Sequence, residues 1–290
     1  MDIGYAVSLG IFDGVHLGHK KVIEKSLEYK KQGLKSAVFT FSVEDMKFKQ
    51  GRELHYIIDN QSKIDIISSM GVDLILCPKF SDVRNMSGKD FAQKILSQHM
   101  NAKVVICGKR FRFGKDASCD INDLKSFGDT FGFKVEILDS VISENNIISS
   151  SVIRKLIQDG DIKTASNLLG YDYFINKEIV HGNQIGRTIN VPTINQEFGD
   201  RQIIPKFGVY SSSVNINGKD YKSMTNVGVK PTITDVHTPL AETHIIGYSG
   251  DLYGKTLKVK LLDYIRPEKK LSSIDTLKDA IYNDIKMCSK

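Results

Sequence analysis

Residues 8 to 19 read Ser-Leu-Gly-Ile-Phe-Asp-Gly-Val-His-Leu-Gly-His, and no other stretch of the chain restricts its fold so sharply. Upstream, Tyr5 to Leu9 is a short apolar run of the kind that forms a buried strand. Downstream of Lys20, Val22, Ile23 and Leu27 recur at helical spacing, and Gly33 supplies a stop. The glycines and histidines therefore occupy a strand-to-helix turn. In such a turn the free backbone N–H groups and the positive end of the helix attract phosphate, and Gly10, Gly14 and Gly18 let a ligand approach the main chain. His16 and His19 are three apart, so in a first helical turn their imidazoles share one side. There they can stabilise charge that builds on phosphoryl oxygens during in-line displacement. The competing reading is a plain glycine-rich turn with two solvated histidines.

Beyond this turn, strands and helices alternate. Strands are expected at Lys35 to Phe41, Asp73 to Cys77, Lys103 to Cys107 and Phe133 to Leu138. Between them lie helices at Asn60 to Met70 with Ile64 and Ile67 inward, after a Ser87 cap with Phe91, Ile95 and Leu96, and at Leu124 to Phe131. The pattern implies a parallel sheet covered on both faces, with ligands at the carboxyl ends of its strands. Two later segments can reach that edge. Gly108-Lys109-Arg110-Phe111-Arg112-Phe113-Gly114-Lys115 interleaves cations with aromatics, as a loop over phosphates or simply a basic surface loop. Ser149, Ser150 and Ser151 open a helix with Arg154 one turn in, able to meet a phosphate at the helix start or to serve as an ordinary cap.

A helical tail from Gln158 ends at Gly170, and the pattern then changes to short alternating strands: Phe174 to Val180, Val209 to Ile216, Tyr221 to Val227, Glu242 to Tyr248 and Thr256 to Tyr264. These predict a small antiparallel barrel, closed off by an amphipathic helix capped near Ser272 or Ser273 and packing through Leu277, Ile281 and Ile285. The expected fold is α/β plus all-β: a Rossmann-like domain over residues 1–170 and a β-barrel domain over 171–290. A chain of 290 residues, 41% of them hydrophobic, can build two such cores. In the barrel half, Gly182, Gly186 and Arg187 can form a phosphate loop, while Thr193 and Asn195 alternate onto one face and offer hard oxygen ligands for Mg²⁺.

The remaining composition excludes several classes. The net charge of +6 is spread without a basic run, which argues against a nucleic-acid platform. No apolar stretch reaches membrane-spanning length and no basic leader precedes the first strand, so a cytoplasmic protein with no membrane partner is expected. Cys77, Cys107, Cys119 and Cys288 lack the spacing of a zinc site or a disulfide frame.

The first motif resembles the Gly-x-Phe-Asp-Gly-Val-His-x-Gly-His signature of the bacterial bifunctional riboflavin kinase/FAD synthetase family. Further motifs follow in that family's order. Ser149 to Arg154 is similar to its Ser-Ser-Thr-x-Ile-Arg, and Gly108 to Gly114 to its Gly-x-Asp-Phe-x-Phe-Gly, with Arg110 in place of Asp. Gly186 to Asn195 is similar to its Gly-Arg-x-x-x-x-Pro-Thr-Ala-Asn, and Asn226 to Thr232 to its Asn-x-Gly-x-x-Pro-Thr. Glu242-Thr-His244 with Asp251-Leu-Tyr-Gly254 resembles Glu-x-His and Asp-Leu-Tyr-Gly, and Arg266-Pro-Glu268 resembles Arg-Pro-Glu. The family's Pro-His-Pro after the second strand is absent: the chain continues Thr40-Phe41-Ser42-Val43-Glu44.

The resemblance implies two activities in one chain. The barrel domain is expected to phosphorylate riboflavin with Mg-ATP to FMN, and the N-terminal domain to transfer AMP from ATP to FMN, giving FAD and pyrophosphate. It implies Gly10, Phe12, Asp13, Gly14, His16, Gly18, His19, Gly108, Ser149, Ser150 and Arg154 at the adenylyltransferase ATP, with His16, His19 and Arg154 in the chemistry, and Arg110, Phe111 and Phe113 on the flavin side. In the kinase it implies Gly182, Gly186, Arg187, Thr193 and Asn195 at the nucleotide, Thr193 and Asn195 at Mg²⁺, Glu242 as general base, and Glu242, Tyr253 and Arg266 around the flavin. Two other readings remain at this point: riboflavin kinase alone, favoured by the missing Pro-His-Pro and by Arg110, and a non-catalytic flavin- or RNA-binding regulator.

Overall fold

The computed structural model describes residues 3–42, 48–49, 52–53, 55–143, 146–182, 191–229, 239–268 and 274–288. The chain divides into two compact units, Met1–Ser150 and Ser151–Lys290. In the first, five parallel strands form one sheet: β1 (Tyr5–Leu9), β2 (Lys35–Phe39), β3 (Leu74–Leu76), β4 (Ala102–Gly108) and β5 (Lys134–Leu138), in the order β3-β2-β1-β4-β5. The order reverses between β1 and β4, which is where an open parallel sheet leaves a crevice at its carboxyl edge. Helices α1 (Leu17–Glu28), α2 (Asn60–Ser69), α3 (Gly88–Asp90, continuing as a π-helix over Phe91–His99) and α4 (Ile121–Phe131) belong to this unit. Asp59, Ser87 and Asp120 cap the last three with their side chains, and Asp120 and Asp123 form a reciprocal capping box. The core gathers Val7, Leu9, Phe39, Phe91, Leu96, Val105, Phe113 and Leu124.

Helix α5 (Ser150–Asp159) is the one expected to open at the serines, and the helical tail expected from Gln158 to Gly170 is a separate helix, α6 (Ile162–Leu169), which starts four residues later. Gly160 adopts φ +85° and ends the first, and Asp161 caps the second by accepting from the Thr164 N–H. Six antiparallel strands then form the second sheet: β6 (Phe174–Glu178), β7 (Ile194–Glu197), β8 (Gly208–Ile216), β9 (Lys219–Val229), β10 (Pro239–Ile245) and β11 (Thr256–Arg266), in the order β6-β11-β8-β9-β10-β7. Its two edges meet where the Val180 N–H donates to the Asn195 carbonyl at 2.9 Å, closing the sheet into a barrel. The fully buried Gln196 stitches the same seam, its Nε2 donating to the carbonyls of Lys177 and Leu257 at 2.7 Å each. Inside, Ser212, Ser223, Thr225 and Thr243 form a run of buried hydroxyls spaced at 2.7–2.8 Å.

Outside, α7 (Ile274–Cys288) lays Ile281, Ile285 and Cys288 on Val209 and Met224. Its expected Ser272 or Ser273 cap and the Leu277 side chain lie outside the described residues. The Arg266 guanidinium pins the helix, reaching the buried Asp284 carboxylate at 2.6 and 3.0 Å.

Burial pushes the Cys107 thiol from 9.0 up to about 12; burial, helped by Asp284, pushes that of Cys288 up to about 11. Both are raised on folding, so their contribution is complete below pH 9 and is lost as pH climbs toward those values. Urea unfolding at pH 8 and pH 10.5 is expected to show an alkaline loss of which Cys107 supplies about 2 kcal/mol. A Cys107→Ala variant with an equally steep alkaline loss would contradict this.

Candidate functional site

Leu9 ends β1, and the backbone then turns through two unfavourable positions, Phe12 at φ +53° and Val15 at φ +36°, with Gly14 at +77° between them. Positive φ is rare for a bulky or β-branched side chain and persists only where the surroundings enforce it. Those surroundings are visible. The Thr40 hydroxyl donates to the Ile11 carbonyl at 2.8 Å, the Ile57 N–H to the Asp13 carboxylate at 2.9 Å, and the Ser150 hydroxyl to the Asp13 carbonyl at 3.0 Å. Asp13, 2% exposed, thus acts as an anchor for the turn. Gly10 is required because the Phe12 ring lies 2.8 Å from where its Cβ would stand.

His16 is the N-cap of α1: its Nδ1 accepts from the His19 N–H at 3.2 Å. An accepting Nδ1 places the ring proton on Nε2, leaving that N–H as a donor. The rings of His16 and His19 stack at 3.5 Å, and Phe12 meets His19 edge-on at 5.3 Å. Gly18 leaves room for this pair, since a Cβ there would press on the His16 ring at 3.1 Å. The expected juxtaposition of the two imidazoles at a helix start is therefore present, three residues earlier than the periodicity from Lys20 marks it. Partial burial lowers the Lys20 pKa, with Glu24 opposing.

The other residues expected around this nucleotide have varied placements. Ser149 and Ser150 are half-buried, and Ser150 holds the turn as described. Arg154 is half-buried on α5, which lies in the second unit. Gly108 ends β4 with open space about its Cα. Arg110 is exposed and Phe111 half-buried, while Phe113 packs in the core against Phe91 and Phe127 and stacks on Phe111 at 5.7 Å. Most of the segment after Phe41, from Val43 to Lys47, lies outside the described residues.

In the barrel, register brings three side chains into one row. Asn195 on β7 lies opposite Glu242 on β10, which lies opposite Asn226 on β9, and directly opposed residues share a face. Glu242 is exposed and Asn195 buried. Among the described residues the buried Asn195 Oδ1 has no hydrogen-bond partner, which suits an oxygen that coordinates a hard cation. Its amide rests on Gly182, where a Cβ would meet Nδ2 at 2.1 Å. Thr193 is half-buried just before β7, and Gly186 and Arg187 lie outside the described residues. His244, two residues from Glu242, holds the Pro192 carbonyl at 2.8 Å through Nδ1. The Asn226 amide donates to Glu268 at 3.1 Å. Tyr253 stacks on His181 at 3.9 Å, next to Gly182. Arg266, expected at the flavin, is engaged with Asp284.

Comparison with known proteins covers both units. A family model described as FAD synthetase matches residues 1–152, and one described as riboflavin kinase matches residues 169–290. A protein of Buchnera aphidicola subsp. Schizaphis graminum named bifunctional riboflavin kinase/FMN adenylyltransferase is 34% identical over 98% of this chain and 93% of its own length. A protein of that name from Listeria monocytogenes is 30% identical over 95% and 88%. A crystal structure described as a macrolide-efflux protein from Streptococcus pneumoniae superposes with a TM-score of 0.85 at 31% identity, covering 100% of this chain and 95% of that one. No helix among the described residues is long and apolar enough to cross a membrane.

Replacing Gly182 with Ala forces the Asn195 amide off its seat, and overpacking of this kind costs about 1–3 kcal/mol. Urea denaturation of Gly182→Ala is expected to show that loss; an unchanged midpoint would mean that Asn195 does not rest on Gly182.

Proposed function

This chain belongs to the family of bifunctional riboflavin kinase/FMN adenylyltransferases, and from that premise we propose how its own residues carry the two reactions. Matches to both family models support two activities over a lone kinase or a non-catalytic regulator. Riboflavin, FMN and ATP are the small-molecule substrates, and FAD the final product.

In the kinase, the terminal ribityl hydroxyl of riboflavin attacks the γ-phosphorus of ATP, and ADP leaves. Glu242 takes the hydroxyl proton. The observation that carries this role is the row Asn195–Glu242–Asn226, which sets an exposed carboxylate beside a buried amide oxygen. A general base must stand within hydrogen-bond reach of the hydroxyl, and the nucleotide must lie alongside it. Asn195 and Thr193 are the residues to hold Mg²⁺, which when bound neutralises charge on the transferred phosphoryl group. Gly186 and Arg187 are assigned to the loop over the nucleotide. Tyr253 borders the flavin, and Arg266 acts by fixing α7 beside it.

In the adenylyltransferase, an oxygen of the FMN phosphate attacks the α-phosphorus of ATP, and the bond to pyrophosphate breaks. The attacking oxygen is already ionised, so positioning and charge stabilisation suffice. The His16 Nε2–H, His19, the main chain of Gly10 to Gly18 and the start of α1 supply both, with Arg154 as a further cation and Phe111 and Arg110 toward the flavin. Phe113 supports Phe111 from the core. Four free cysteines support a reducing, cytoplasmic setting.

Two variants separate the halves. Glu242→Gln is expected to lower riboflavin phosphorylation at least about a hundredfold while leaving FAD formation from supplied FMN intact. His16→Ala is expected to do the reverse, cutting FAD formation by about 10²–10³-fold. Chromatography of flavin products reads both. Retained kinase activity in Glu242→Gln would remove that residue from the chemistry.

A further inference from the structure

Lys63 lies in the middle of α2 and is completely buried. Lysine is almost never fully buried, because its ammonium loses hydration that only well-placed acceptors can replace. Two such acceptors are the Phe41 carbonyl and, at 3.3 Å, the Thr40 hydroxyl. Both stand at the carboxyl end of β2, beside β1 in the sheet. The Thr40 hydroxyl has one proton, and it donates that proton to the Ile11 carbonyl at 2.8 Å. With its proton committed, its lone pairs face Lys63. The result is a directed relay, Lys63 Nζ to Thr40 Oγ1 to Ile11 O, running from a helix interior to the strained turn that carries His16 and His19.

We propose that Lys63 is a positioning residue of the adenylyltransferase site: through Thr40 and Phe41 it fixes the Ile11–Val15 turn and the departure of the chain from β2. The inference rests on the functional reading above and extends it to a group outside every motif of the sequence. Two consequences follow from the geometry. First, the turn is held at Ile11 by a hydroxyl that a buried cation orients, so the Phe12 and Val15 backbone is enforced from beneath as well as by Ile57 and Ser150. Second, Lys63 links α2 to the turn through only two hydrogen bonds, so a change at this helix position reaches the backbone that carries His16 and His19. Phe41 also lies two residues before the place where the family has Pro-His-Pro and this chain has Val43-Glu44-Asp45. Here the Phe41 carbonyl accepts from Lys63.

The test uses the full-length protein and scores FAD formation from FMN and Mg-ATP, with riboflavin phosphorylation in the same preparation as an internal control. Lys63→Met keeps the length of the side chain and removes its charge and donors; it is expected to lower kcat for FAD formation by about 10²-fold, the cost of a misplaced reacting group, with the kinase unchanged. Thr40→Val keeps the charge and breaks the relay, with an expected loss of about tenfold, and Thr40→Ser is expected to restore wild-type activity. Rescue by the hydroxyl is a result that loss of packing alone does not produce, because serine is the smaller residue. The proposal is overturned if Lys63→Met and Thr40→Val form FAD at the wild-type rate, or if Thr40→Ser is no better than Thr40→Val. A wild-type protein that makes no FAD would instead remove the adenylyltransferase reading itself.

Discussion

The adenylyltransferase half depends on a backbone turn that would not hold its shape alone. Phe12 and Val15 both have positive φ within four residues, and such positions cost on the order of 1–3 kcal/mol each. What compensates is a set of hydrogen bonds from separate segments: Thr40 just after β2, Ile57 before α2, Ser150 at the start of α5, and His16 itself as the cap of α1. The strain has a use. It turns the chain sharply enough to present the first turn of α1 at the sheet's reversal point, with two stacked imidazoles beside the helix start.

The barrel solves a different problem with the same strands used on both faces. Inward, β8, β9 and β10 contribute hydroxyls that satisfy one another. Outward, β9 and β10 carry Asn226 and Glu242, and β7 adds Asn195 to the row. Closure at Val180–Asn195 ties the fold to the proposed site, because the residue that seals the seam by its carbonyl also carries the buried side-chain oxygen proposed to meet Mg²⁺.

Much of this was legible from residue patterns. The alternation of elements, the barrel and the pairing of His16 with His19 follow from periodicity and spacing, since those signals arise from local geometry. The roles proposed for Asn195 and Glu242 rest on family motifs. Other features depended on long-range contacts that no local pattern encodes. The break at Gly160 was hidden because Ile157, Ile162 and Ala165 keep an apolar rhythm across it. Asp13 is expected at the nucleotide from its motif, and no local pattern announces that its carboxylate also accepts from the Ile57 N–H far along the chain. Arg266 is expected beside the flavin from its motif, and its ion pair with Asp284 on α7 has no local signal. Nothing in its residue type marks Lys63, because a lysine in a helix is ordinarily a surface residue. The available signal was its spacing of four from Ile67, which puts both on the inward face.

One chain completes both steps although it lacks Pro-His-Pro after the second strand and carries Arg110 in the loop after β4. A time course of wild-type protein with riboflavin, ATP and Mg²⁺, resolved by flavin chromatography, tests it most directly. FMN should rise first and then give way to FAD with release of pyrophosphate. Accumulation of FMN with no FAD, under conditions where phosphorylation runs to completion, would contradict the account and leave a kinase joined to an idle nucleotide-binding domain.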